Sequence, residues 1–322
     1  MKRTLAIIAL VLYSAVGLLA ENGVVSSSNN PQQVALLHWY QANQAQTVFQ
    51  AGGYPIAAAF DGQSIWVANA GSNSNNIMKF RSSDGALLGT YPAGSAPSGV
   101  AFDGSNIWVT NQGSMLVYKF QASTGTLLTT IEVGYPTLGI AFDGTNIWVA
   151  GYTSGFVAGI VAKTNTVFCN TAVGSYPIGV AFDGTNIWVA NADSNNVTKL
   201  NQSGTVLGTY AVGSTPEYLA FDGKDMWVTN TGSNSVTKLS LSGAVLGTYV
   251  VGTAPQGIAF DGANMWVANH TANTVTKLQV SNGANLGTFN VGVNPWGVVF
   301  DGANIWVANQ YYGYANGFLS KL

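Results

Sequence analysis

The sequence predicts an all-β protein, a seven-bladed β-propeller with four-stranded blades, closed by an N-terminal outer strand that completes the last blade. Three observations carry this. The string F-D-G-x-x-[IM]-W-V occurs seven times, with its acid at Asp61, Asp103, Asp143, Asp183, Asp222, Asp261 and Asp301, spaced 39–42 residues apart. Each unit holds four short segments rich in β-branched and aromatic residues, and no amphipathic helix fits inside one. Four strands in roughly forty residues is one propeller blade, and a blade cannot bury both faces unless it stacks on its neighbours.

The chain divides in order into residues 1–20, 21–45 and 46–322. Residues 1–20 read as a secretory signal peptide: Lys2 and Arg3 precede the apolar Leu5 to Leu19, and Ala20 offers a small residue for cleavage. Leu18 fits the cleavage pattern imperfectly, which leaves an uncleaved anchor as the alternative. The expected destination is secreted or periplasmic. No later apolar run approaches the roughly 20 residues of a spanning helix, so no membrane span is expected after signal removal. In 21–45, Asn30-Pro31 followed by Gln32 to Ala42 has an N-cap, Pro at the first helical position and good helix formers. This predicts an N-terminal extension with a short helix packed on the propeller through Val34, Leu37 and Trp39, with His38 partly exposed.

Within 46–322, the unit Pro255 to Gly292 serves for all. Gly257 to Phe260 is a first strand, Asp261 to Asn264 a tight turn, Met265 to Asn269 a second strand, Val275 to Leu278 a third and Leu286 to Val291 a fourth. The repeated tryptophans, from Trp66 to Trp306, supply large apolar area to fill the gaps between blades. The seventh unit stops after its third strand, Asn316 to Leu322. Thr47 to Ala51 matches the fourth-strand pattern of Thr248 to Val251 and is expected to pair with it, removing the free edges at the seam. The lone Cys169 leaves no internal disulfide and reads as a small buried residue within a strand.

Composition excludes several classes. Of 322 residues only 7% are charged, and the net charge is −2, which gives no basic surface for nucleic acid. Aromatic residues make up 11%, against intrinsic disorder. No H-E-x-x-H, C-x-x-C, G-x-S-x-G or P-loop pattern occurs. No cofactor is expected, and the ring reads as a monomer.

The pattern P-x-G-[IV]-A-F-D-G-x-x-[IM]-W-V-[AT]-N, followed by N-x-V-T-K-L, resembles the YVTN and NHL-type β-propeller repeats. In repeat style it is also similar, more distantly, to the propeller of the virginiamycin B lyases. The resemblance covers residues 46–322 and implies the fold far more than any activity. The lyase resemblance implies catalytic histidines between Pro and Gly at the start of strand one. The matching residues here are Ile56, Ser98, Leu138, Ile178, Glu217, Gln256 and Trp296, none of them His. It also implies an acid at the end of strand two, where this chain has Asn69, Asn111, Gly151, Asn191, Asn230, Asn269 and Asn309. The implied acid–base and Mg²⁺ residues are thus not reproduced, and no catalytic or metal-binding residue is assigned.

Strand direction divides the remaining chemistry between two faces. The Asp-Gly turns and the repeated lysines (Lys79, Lys119, Lys199, Lys238, Lys277, Lys321) fall on one face, where repetition predicts turn capping and surface pairing. The other face carries the loops before strand one and between strands two and three, which differ from blade to blade, as loops free to specialise do. There Glu217, Tyr218, Gln256, His270, Trp296, Tyr311 and Tyr312 gather large polar and aromatic groups in adjacent blades. They are the candidate ligand-binding residues. Tyr and Trp give rigid contact area and amides give adaptable hydrogen bonds, suited to an extracellular glycan, peptide or protein. The alternative is a metal-dependent lyase or hydrolase centred on Glu217 and His270.

Overall fold

The computed structural model describes residues 47–71, 73–311 and 316–322. The expected signal peptide and N-terminal helix lie outside these residues, as does Tyr312. Seven four-stranded antiparallel sheets form the blades of a β-propeller. In the sixth blade the strands are Pro255–Phe260, Asn264–Asn269, Thr274–Gln279 and Asn285–Asn290, within two residues of each expected boundary. No helix among the described residues is long and apolar enough to cross a membrane.

The seam closes as expected. Val48–Gln50 is the outer strand of the seventh blade and runs antiparallel to Phe318–Lys321, with Phe49 opposite Leu319. Bonds from Ala51 N to Gly317 O (2.9 Å) and Lys321 N to Thr47 O (2.7 Å) extend the ladder at both ends. Phe49 is buried, and its ring lies 5.2 Å from that of Trp306.

The core is a series of seven inter-blade layers. The cluster joining the first two blades contains Trp66, Ala68 and Ile77 from one and Ile107, Val109 and Phe120 from the next, all buried. Its Trp fills the gap as the repeat predicts. Each Asp-Gly turn places its Gly at φ of +90 to +95°, a region open to Gly without steric cost.

The structure bears out the turn capping by the Asp series and moves its pairing with the lysines from the surface into the interior: Lys79 lies 3.7 Å from Asp61 and Lys238 lies 3.7 Å from Asp222, all with side chains largely buried. Asp143 accepts hydrogen bonds from the backbone N–H of Thr145 (2.8 Å) and Asn146 (2.6 Å) and from Trp148 Nε1 (2.7 Å), and the other six copies repeat this last bond at the same length. The lysine ammonium lies 4.6–5.0 Å from the centroid of the Trp ring in its own blade. Most reach further, to a carbonyl of the next blade: Lys119 Nζ donates to Ala162 O at 2.7 Å and Lys238 Nζ to Val280 O at 2.8 Å. Lys119 and Lys238 are each only 8% exposed. The series is therefore an inter-blade clamp of carboxylate, indole and ammonium, which a sequence reading of charged residues as surface pairs misses. Burial depresses the pKa of Lys119, and the nearby Asp103 partly restores it. In the third blade Gly159 replaces the lysine, and Phe168 meets the Trp148 ring edge-on at 5.6 Å. Cys169, expected to be buried, lies in the strand Thr166–Ala172 of this blade at intermediate exposure.

Candidate functional site

The inner strands surround a narrow axial channel of about 130 Å³, lined by Ile56, Val100, Val180, Tyr218, Ile258 and Val298 among others. Their backbones approach closely there. A Cβ on Gly179 would collide with the carbonyl oxygen of Glu217, and one on Gly257 with that of Trp296. This close approach explains the glycine of the P-x-G pattern. Tyr218 takes that position in the fifth blade, so a large side chain stands in the channel wall where most blades have none.

The variable face is assembled by one recurring device. The residue before the strand-one proline adopts a left-handed conformation, as at Tyr54, Ala96, Tyr176, Thr215, Ala254 and Asn294 (φ of 48–58°). This conformation disfavours non-glycine residues. Its carbonyl accepts the backbone N–H of the residue that begins the strand two–three loop: Thr231 on Thr215 (2.9 Å), His270 on Ala254 (3.0 Å) and Gln310 on Asn294 (3.1 Å). In six of the seven blades the variable loop residue is thereby held beside the start of the inner strand of its own blade. It also leans on the next blade. Thr231 Oγ1 donates to Pro255 O (2.7 Å), and the His270 and Trp296 rings meet edge-to-face at 5.2 Å.

Five of the seven candidate residues form one connected group. Trp296 Nε1 donates to the Tyr218 hydroxyl at 2.6 Å, joining the seventh and fifth blades over the sixth. His270 packs on Trp296, and the Gln310 amide lies beside His270. Glu217 interacts with the side chains of Gln256 and Thr231. Tyr311 is 46% exposed and makes no ring contact or hydrogen bond to the group. Thr231 and Gln310 join the site although they were not candidates. Both occupy the loop position of His270 in other blades, where the repeat register already places them as variable residues.

Three side chains here carry buried polar atoms without a hydrogen-bond partner: Gln256 Oε1, His270 Nε2, and both Oε1 and Nε2 of Gln310. Elsewhere among the described residues such atoms are the Oδ1 of Asn111, Asn191, Asn269 and Asn309, one repeated framework position. A buried unpaired polar group is costly, and these three side chains stand together on the variable face in the sixth and seventh blades.

Burial pushes the Glu217 carboxyl up to about 7, with Gln256 and Thr231 pulling it partly back. Burial also raises the Tyr218 hydroxyl, and the Glu217 charge adds to this. Burial holds the His270 imidazole below its ordinary value, offset by Gln310. Glu217 and His270 do not enter each other's electrostatics. Among the described residues no group of three or more His, Cys, Asp or Glu is placed to hold a metal ion.

The Glu217 carboxyl gives a pH signature. Between its unfolded value near 4.5 and about 7, the folded chain keeps a proton that the unfolded chain releases, so stability falls as pH rises through this window. Asp103, Asp261 and Asp301 act oppositely. Burial alone would raise them, but bonds from Trp108, Trp266 and Trp306 and neighbouring amides hold them below the usual value, and that stability is lost as pH falls through their folded pKa. Urea midpoints at pH 5 and pH 8 should show Glu217→Gln stabilised relative to the parent at pH 8 by about 1–3 kcal/mol, with little difference at pH 5.

No protein-family model matches the chain, and no curated protein matches it. Solved structures do. A streptogramin B lyase structure superposes with a TM-score of 0.72 at 18% identity, covering 85% of this chain and 97% of that one. The hydrazine synthase of Kuenenia stuttgartiensis superposes with a TM-score of 0.71 at 18% identity, covering 87% and 98%. At such identity the likeness establishes the propeller fold and leaves the activity open.

Proposed function

We propose that the chain is an exported binding module that holds a glycan, peptide or protein segment at the variable-face mouth of its channel. The observation that carries this is the hydrogen-bonded Tyr218–Trp296 pair, flanked by the unpartnered buried atoms of Gln256, His270 and Gln310. A rigid aromatic platform beside unsatisfied amides binds by contact area and hydrogen bonds. The secretory signal expected in residues 1–20 supports a partner outside the cytoplasm.

The lyase or hydrolase reading has one observation in its favour, the Glu217 carboxyl raised to about 7, a value suited to general acid–base work. The hydroxyl beside Glu217, Thr231 Oγ1, donates to the Pro255 carbonyl, and His270 does not act on the carboxyl, so binding is the better supported reading.

Titration of the purified protein with soluble oligosaccharides and short peptides, followed by tryptophan fluorescence, tests the proposal. Trp296 is only partly buried, whereas six of the seven repeated tryptophans are fully buried. A saturable change is expected, lost in Trp296→Ala and at least tenfold weaker in Tyr218→Ala, with both variants folded by circular dichroism. Binding that survives in both variants would place the partner elsewhere.

A further inference from the structure

The charges of the propeller are divided unevenly between its faces. Every Lys and Arg from Thr47 onward lies on the uniform face, in the Asp-Gly turns, at the ends of third strands or in the strand three–four loops. The repeated Asp residues, with Asp84 and Asp225, balance them there one for one. The remaining acids from Thr47 onward, Glu132, Asp193 and Glu217, all fall on the variable face, where no described residue is a Lys or Arg to offset them. Glu132 is exposed at the end of an outer strand, while Asp193 and Glu217 are near the mouth, where both charges act on the Tyr176 hydroxyl.

The group around Glu217 is rich in acceptors and aromatic faces. Gln256 is 5% exposed and sits against Glu217 with its Oε1 unpartnered. The Tyr152 and Tyr176 rings meet edge-to-face at 5.5 Å, Trp296 is bonded to Tyr218, and the Glu217 charge acts on the hydroxyls of both Tyr176 and Tyr218. A half-buried carboxylate, an unsatisfied carbonyl oxygen and aromatic rings together are complementary to an ammonium group, which donates to the oxygens and is attracted to the ring faces. A neutral sugar would leave the carboxylate without a counter-charge.

We propose that the group seated at this mouth is an organic ammonium, the side chain of a peptide lysine or a free alkylamine, held by Glu217 and Gln256 against the aromatic wall. This rests on the binding reading above and names the chemistry of its ligand. The uncompensated acids on this face would also draw a cation toward it, with an ionic-strength dependence.

Isothermal titration and tryptophan fluorescence at low salt and pH 8 test this with three probes: Nα-acetyl-lysine methylamide, its neutral isostere Nα-acetyl-norleucine methylamide, and 1,5-diaminopentane. The expected result is one-to-one binding of one or both amines, at least tenfold tighter than the norleucine compound. Glu217→Gln should weaken it at least tenfold. Gln256→Leu, which keeps volume and removes the acceptor, should weaken it severalfold, so the result does not hang on one variant's folding. Binding by the lysine derivative alone identifies a peptide source, and binding by both amines a free amine as well. Equal affinity for lysine and norleucine compounds, or full affinity in folded Glu217→Gln, overturns the proposal. If neutral oligosaccharides or peptides bind in a Trp296-dependent way and amines do not, the ammonium assignment fails and the binding reading stands. If none of these ligands perturbs Trp296, both fail.

Discussion

Truncation of the chain before Gly52 is expected to abolish a stable monomer. The cut removes Val48–Gln50 and leaves Phe318–Lys321 as a free edge of the seventh blade. It also uncovers Trp306, which Phe49 covers at 5.2 Å, and opens the core it shares with Ile65, Val67 and Phe80 of the first blade. An unpaired edge beside an exposed apolar layer is a template for pairing with other chains. Size-exclusion chromatography with light scattering should show higher oligomers or precipitate in place of a monomer. The milder Phe49→Ala keeps the strand and loses only the ring, with an expected cost of about 3–5 kcal/mol in urea denaturation. A monomeric truncation with the parent's midpoint would show that the seam contributes nothing to closure.

Asp143→Ala should cost about 3–5 kcal/mol, and Asp143→Asn should not rescue it. The carboxylate is 4% exposed and satisfies two backbone amides and the Trp148 indole. Alanine leaves these buried donors unpaired, each costing roughly 1–3 kcal/mol after partial relaxation. Asparagine can keep the backbone amides on its oxygen, but it then presents an NH₂ group to the indole N–H, donor against donor. A urea midpoint within about 0.5 kcal/mol of the parent for both variants would contradict the clamp. The third blade is the informative one, because Gly159 takes the lysine position and the carboxylate effect is read without an ammonium above the ring.

The parts of this molecule that sequence made legible share a physical cause. The Asp-Gly turns need positive φ, the Trp needs a neighbouring blade to cover it, and a short last unit needs a strand from elsewhere; each constraint is local and repeats. The candidate site was legible through the opposite signal. Glu217, Gln256, His270 and Trp296 stand out because they depart from their own repeat. What escaped was whatever depends on closure of the ring. The Tyr218–Trp296 bond spans 78 residues and passes over an intervening blade, so no spacing rule exposes it. The lysines escaped for a related reason. Their ammonium groups lie in grooves that exist only between stacked blades, where ring faces and carbonyls replace water. Tyr311 was chosen as an aromatic beside the mouth, yet it points to solvent without joining the group.

The central claim is that the variable-face mouth, and not the uniform face, receives the ligand. Its most direct test is the indole ¹H–¹⁵N spectrum of the protein titrated with Nα-acetyl-lysine methylamide, with Trp296 assigned by its loss in Trp296→Phe. The Trp296 indole resonance should move progressively to saturation, while the resonances of the indoles bonded to Asp61, Asp143, Asp222 and their repeats stay in place. Movement of those repeated indoles with Trp296 unmoved would put binding at the opposite face and contradict the account.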